Sequence, residues 1–209
     1  MKFINLTAIY VLWLREMKKF LRAKSRIIGT IAIPLFFLAF LGLGFTNMRV
    51  PGMPAGVDYM AFLAPGIIGM SMLFTSMFAG LSVLWDREFG FLKEIMVAPV
   101  SRVSIVLGRI AGGTTTSLIP GVMLLIISIA IGVKITGLLA FLLAVLFMIL
   151  IAITFIGLGL VFASNMKDTQ GFSMIMNFVI FPIFFLSGAL FPLENLPSWI
   201  RALYRTLTR

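Results

Sequence analysis

The sequence of 209 residues contains no cysteine and no histidine. Without cysteine there are no disulfides and no thiolate nucleophile, and without either residue the usual ligands of zinc are missing. Charge is scarce as well, since 11% of the residues are charged and 61% are hydrophobic, against roughly 25% charged in an ordinary soluble domain. So few polar side chains could not cover a water-soluble globule. The composition therefore predicts an integral membrane protein and argues against a metalloenzyme or a redox enzyme.

The sequence also lacks a G-x-x-x-x-G-K-[ST] motif. That loop cradles the phosphates of ATP in many ATPases, so we expect this chain not to hydrolyse ATP itself. We accordingly expect a protein that is not an enzyme and that binds no metal and no cofactor of its own.

Five stretches without ionisable residues are long enough to cross a bilayer, which needs about 20 apolar residues. Pro34 and Pro182 lie inside two of them and predict kinks rather than interruptions. The fold class is therefore all-α, a polytopic membrane protein formed by a single transmembrane domain over residues 1–209. The predicted spans are residues 27–46, 61–85, 110–133, 137–163 and 169–193.

Lysine and arginine are distributed unevenly between the loops. Twelve of the 17 lie in residues 1–26, in residues 86–109 and at Lys167, which the five spans place on one side. Because basic residues concentrate on the cytoplasmic side, the amino terminus is predicted to be cytoplasmic in the cell membrane. The net charge of +10 is thus explained by topology, and no nucleic-acid partner is expected.

Residues 4–24 show helical periodicity, with an apolar face and a basic face. Such a pattern predicts an amphipathic helix lying in the membrane interface. It serves either as a plain anchor on anionic headgroups or as a contact for a cytoplasmic partner, and both roles are compatible. The apolar face comprises Leu6, Ile9, Tyr10, Trp13, Met17, Phe20 and Leu21.

The predicted cytoplasmic loop, residues 86–109, contains three of the seven acidic residues of the chain. Read as one helix from Asp86 to Ala98, it has one apolar and one charged face, and Pro99 ends it. Ser101 is then a plausible N-cap of the next helix. A short helix with both charge signs suits docking into a partner's groove, although a helix resting on headgroups has the same pattern.

Two runs of sequence carry a resemblance to a known family. WDREFGFLKEIMVAPVSRVSIVLGRIAGG, residues 85–113, resembles the cytoplasmic loop of membrane subunits of the type-two ABC exporter superfamily, including daunorubicin-type and nodulation-type permeases. FPIFFLSGALFPLENLPSWIRAL, residues 181–203, resembles the fifth span of that family and the outer segment after it. The resemblance extends over essentially the whole chain.

The resemblance implies a permease that pairs with a second permease subunit, as a homodimer or heterodimer, and with two copies of a separate ATP-binding subunit. ATP and magnesium would be bound by that partner. It also implies a coupling helix that docks in a cleft of the ATP-binding subunit. The implied coupling residues are Asp86, Arg87, Glu88, Phe89, Gly90, Phe91, Leu92, Lys93 and Glu94.

Members of this family have six spans, whereas this sequence ends after the fifth. We therefore expect residues 194–209 to be the start of a truncated outer segment that leads to the last span.

Aromatic and methionine side chains in the second and fifth spans are candidates for a substrate path, because such surfaces accept large apolar molecules. The same residues are ordinary core and lipid-facing residues, so packing is the competing interpretation. Asn177 needs a hydrogen-bond partner within the membrane, which favours contact between helices over contact with substrate. These candidates are Met70, Phe74, Met77, Asn177, Phe178 and Phe181.

The sequence thus predicts the transmembrane subunit of an ATP-driven exporter for an amphipathic, lipid-like, drug-like or glycan-linked substrate. An ion-coupled secondary exporter and a membrane scaffold for a cytoplasmic enzyme are the alternatives. Secondary transport is disfavoured because no charged residue lies within the predicted spans.

Overall fold

A computed structural model of the chain describes residues 4–44, 59–135 and 137–188. Within these ranges every regular element is an α-helix, and five segments are long and apolar enough to cross a membrane. The predicted all-α polytopic fold is confirmed. The predicted outer segment, residues 194–209, lies outside the described residues. The helices are α1 Leu6–Arg22, α2 Lys24–Gly44, α3 Tyr59–Ala79, α4 Leu81–Glu88, α5 Phe91–Val97, α6 Arg102–Ala130, α7 Gly137–Asn165 and α8 Thr169–Leu186.

Helix α3 lies at the centre of the fold and contacts α2, α6, α7 and α8. Its buried residues contribute to three apolar clusters, which it forms with α8, with α6 and α7, and with α2. Helix α7 is far more apolar and yet has only five buried residues among its 29. That arrangement is expected in lipid, where apolar side chains can face outward and small or polar ones pack between helices.

Small residues allow the central helices to approach closely. A Cβ added to Gly159 of α7 would lie 2.6 Å from the carbonyl oxygen of Met77 in α3, and one added to Gly80 would lie 2.6 Å from the backbone of Gly159. No side chain fits at such distances. Gly80 and Gly159 therefore fix the crossing point of α7 with the junction between α3 and α4.

Two helices extend beyond the spans expected from charge. Helix α6 begins at Arg102, directly after the predicted N-cap Ser101 and before the predicted span at residue 110, and α4 continues the second span to Glu88. Ser101 caps α6, since its hydroxyl accepts a hydrogen bond from the amide of Ser104 at 3.2 Å. The two buried charged residues of these extensions, Asp86 and Arg109, form ion pairs within the fold, as described below.

Candidate coupling site

The segment between the second and third spans is an elbow of two short helices, α4 and α5. The turn between them contains Gly90, whose φ of 77° lies in the left-handed region that favours glycine. This corrects the interpretation of residues 86–98 as one helix. Periodicity alone could not detect the break, because the apolar pattern of α5 continues that of α4 across the turn. We call residues 81–97 the elbow.

Most of the proposed coupling residues are exposed on this elbow. Phe89, at the turn, has 84% of its surface exposed, and Val97 at the end of α5 has 86%. Gly90, Phe91 and Leu92 are partly buried, whereas the side chains that carry charge extend from both helices. The exposed charged residues are Arg87, Glu88, Lys93 and Glu94. The elbow thus presents an apolar tip surrounded by both charge signs.

Asp86 differs from the other proposed coupling residues because its side chain points into the fold. The residue is 4% exposed. Its carboxylate accepts hydrogen bonds from both terminal nitrogens of Arg15 in α1, at 2.5 and 2.8 Å, and from Nη2 of Arg109 in α6. Lys19 Nζ lies 3.3 Å away. Asp86 is therefore occupied within the chain and not exposed for contact with a partner.

A second carboxylate completes this charge cluster, which comprises Arg15, Glu16, Lys19, Asp86 and Arg109. Oε1 of Glu16 accepts a hydrogen bond from Nη1 of Arg109 at 2.8 Å. Arg109 is 5% exposed, and its nearest anions come from two different helices. Since a buried cation is costly unless it is paired, these contacts hold α1, α4 and α6 together.

Arg15 also reaches the second half of the elbow. Its guanidinium carbon lies 3.8 Å from the centre of the Phe91 ring, within the range of a cation–π interaction. One side chain of α1 therefore contacts Asp86 of α4 and Phe91 of α5, on the two sides of the turn. On the other side of the elbow, Nη1 of Arg87 donates to the carbonyl of Met166 at 3.3 Å, in the turn between α7 and α8.

Helix α1 packs along α6, so it is more than a surface anchor. Two glycines of α6 allow the approach, since a Cβ on Gly108 would lie 2.9 Å from Leu12 and one on Gly112 would lie 2.8 Å from Glu16. Trp13 Nε1 donates to the hydroxyl of Thr115 at 3.0 Å. Leu6, Tyr10 and Leu21 remain exposed on the opposite side.

The charge cluster was missed at the sequence level. The sequence feature that pointed to this cluster was Glu16, the single acidic residue among the first 26. Its neighbours along the predicted helix are basic or apolar. Gly108 and Gly112 flank Arg109 and indicated close packing. What remained undetermined was which helix packs against these glycines.

The candidate path residues are only partly brought together. Met77 is fully buried in the core between α3 and α8. Met70 and Phe74 line a groove between α2 and α3, and the ring of Phe181 lies edge-on to Phe74 at 5.4 Å between centroids.

Asn177 and Phe178 point away from the rest of the chain on the outer face of α8. Phe178 is 81% exposed, and Asn177 is exposed with no hydrogen-bond partner within the described part of the chain. The partner expected for this amide is therefore not supplied by another described helix.

Five apolar spans with an exposed elbow, held to the end of the bundle by buried ion pairs, define a multi-pass membrane protein. The model of the ABC-2 type transporter family matches residues 7–207. The chain belongs to this family.

Several curated proteins are similar to this chain. Nodulation protein J of Rhizobium leguminosarum bv. trifolii is 32% identical over 190 residues, which cover 90% of this chain and 69% of the relative. The transport permease ycf38 of Porphyra purpurea is 30% identical, with 86% and 62% covered. The inner membrane transport permease YadH of Escherichia coli strain K12 is 27% identical, with 94% and 76% covered. The chain thus spans about two thirds of the length of such relatives, and no solved structure matches it.

Proposed function

We propose that the chain is the membrane subunit of an ATP-driven exporter. It would carry an amphipathic, lipid-like, drug-like or glycan-linked substrate outward with energy from a separate ATP-binding subunit. The observation that carries the proposal is the elbow, because an exposed apolar tip among charges of both signs suits a protein partner better than lipid. Family membership supports the same assignment. ATP and magnesium would be bound by the partner.

In this proposal the residues that contact the ATP-binding subunit are Arg87, Glu88, Phe89, Lys93 and Glu94. Gly90 sets the turn, while Phe91 and Leu92 support it from the inner side. Asp86 acts indirectly, as a positioning residue that fixes α4 against α1 and α6. A displacement of the elbow by the partner would then reach α1 through Arg15 and α6 through Arg109.

The end of the molecule that carries the elbow is proposed to face the cytoplasm. The elbow contacts both α1 and the turn at Met166 there, and this end carries most of the basic residues of the described chain. The cell membrane is the corresponding location.

A second permease subunit is proposed to cover the outer face of α8. An unsatisfied amide in hydrocarbon is unfavourable, so Asn177 favours a polar partner from another chain over lipid at this face. The native sequence has no cysteine, so Asn177→Cys can be crosslinked without a background. Crosslinked dimers are expected from Asn177→Cys and not from Leu143→Cys, which is exposed on α7.

The elbow assignment is tested by charge reversal. The chain is affinity-purified from the membranes of its host, and the recovered proteins are searched by mass spectrometry for one with a phosphate-binding loop that hydrolyses ATP. Glu88→Lys with Glu94→Lys is expected to abolish its recovery while the chain stays in the membrane, whereas Lys134→Glu at the other end is the control. Equal recovery from both variants would contradict the assignment.

The alternatives predict different results in vesicles. Transport driven by an ion gradient in the absence of ATP would identify a secondary exporter. Recovery of a cytoplasmic enzyme without any ATP-dependent flux would identify a scaffold.

A further inference from the structure

A groove of about 450 Å³ lies between α2 and α3, within the size range of small-molecule sites. Its lining is almost entirely apolar. Ile33 is 63% exposed and Phe37 is 41% exposed, so the groove is open along its side. The groove is therefore accessible to an acyl chain from the side. The main apolar lining residues are Ile33, Pro34, Phe37, Met70, Phe74 and Phe78.

One end of this groove carries a positive charge. Arg26 lines it there, next to Gly29 and Thr30, and none of the acidic residues in the described part of the chain contributes to the lining. Among the described residues, no carboxylate forms an ion pair with Arg26, whereas Arg15, Lys19 and Arg109 are all paired. The groove therefore combines an apolar channel with an exposed cation at its end, which complements an anionic amphiphile.

The length of the groove corresponds to one leaflet. On α2 it extends from Arg26 to Phe37, and on the antiparallel α3 from Phe78 to Ile67. At 1.5 Å per residue each stretch is about 16 Å long. Half of a typical hydrocarbon core is about 15 Å. An acyl chain whose headgroup lies at Arg26 would thus reach the middle of the membrane at Phe37.

We propose that the groove binds an acyl chain of an anionic phospholipid from the leaflet next to α1, with the phosphate at Arg26. Gly29 provides the space, since a Cβ there would meet no atom within 4 Å. The three basic residues of the charge cluster are occupied by carboxylates, which leaves Arg26 available to the headgroup. The proposal concerns binding only and does not depend on ATP-driven export.

Binding can be measured with a tryptophan reporter in the groove. The full chain with Ile33→Trp is reconstituted into bilayers that contain either brominated phosphatidylglycerol or brominated phosphatidylcholine at equal fractions. Quenching is corrected for the three native tryptophans with the protein that lacks the reporter. One basic residue at headgroup level favours the anionic lipid by about fivefold, so stronger quenching by brominated phosphatidylglycerol is expected.

Two pairs of variants test whether the preference for brominated phosphatidylglycerol arises at Arg26 and in the groove. Arg26→Gln is expected to reduce it to about onefold, while Arg22→Gln, which removes an exposed charge at the end of α1, leaves it unchanged. Gly29→Leu is expected to fill the groove and reduce the preference. Gly157→Leu, at a site in α7 that is equally open, is expected to have no effect.

Equal quenching by both lipids in the protein with the reporter alone would overturn the proposal. An equal loss in Arg22→Gln and Arg26→Gln would also overturn it, because the preference would then belong to the basic surface as a whole. Both measurements are made in the absence of ATP and of any partner.

Discussion

Asp86 offers the most direct test of the charge cluster, because the substitution Asp86→Asn removes one charge and keeps the shape of the side chain. The carboxylate contacts Arg15, Lys19 and Arg109, and its side chain is 6% exposed. Without it, one remaining carboxylate, that of Glu16, faces three cations. We therefore expect the folded protein to be clearly less stable.

The magnitude follows from the burial of each pair. Removing one partner of a buried ion pair costs about 3 to 5 kcal/mol. Arg109, with a side chain 4% exposed, keeps Glu16 as a partner at 2.8 Å, so the lower end of that range applies. Lys19 is 44% exposed, and such pairs contribute at most about 1 kcal/mol. The expected loss in the free energy of unfolding is about 3 kcal/mol.

The assay is thermal unfolding of the purified chain in detergent, with Glu88→Gln as the matched control. Glu88 lies two positions further along α4 and is exposed, so its neutralisation is expected to change stability by at most about 0.5 kcal/mol. Equal unfolding midpoints for Asp86→Asn and Glu88→Gln would refute the view that the cluster stabilises the fold. In the affinity purification, Glu88→Gln is expected to reduce the recovery of the proposed ATP-binding subunit more than Asp86→Asn does.

Three further predictions follow from individual contacts. Gly159→Val should disturb the packing of α7, because a Cβ there would lie 2.6 Å from a carbonyl oxygen of α3. The expected loss in the free energy of unfolding is about 3 kcal/mol. An unchanged midpoint of thermal unfolding would contradict the close approach. Arg15→Lys keeps the charge but loses the two-nitrogen contact with Asp86 and the stacking on Phe91. Protease cleavage of the elbow in the folded protein should therefore become faster. Unchanged cleavage rates would show that Arg15 does not hold the elbow in place. In intact cells, a membrane-impermeant thiol reagent should label Lys134→Cys and spare Val97→Cys, and the reverse pattern would invert the proposed topology.

The sequence alone determined the class of the protein and much of its architecture. Charge-free runs of 20 or more residues force the chain into lipid, and in lipid the backbone must form helices. The five spans followed from this constraint, and the helical periodicity of residues 4–24 predicted an amphipathic helix at the amino terminus. The exposed charged residues of the elbow, such as Glu88 and Glu94, could also be identified, because they belong to the charged face that the local pattern predicts.

Only the tertiary structure decided what lies between the helices. A periodic pattern shows that a helix has a face but not which neighbour covers it, so the packing of α1 on α6 could not be derived. That packing turns Asp86 from one of several loop charges into a buried ion-pair partner, and it buries Arg109 between Glu16 and Asp86. The break at Gly90 likewise depends on a backbone angle. The groove beside Arg26 lies between residues of α2 and α3 that are far apart in sequence, so no local pattern could show it.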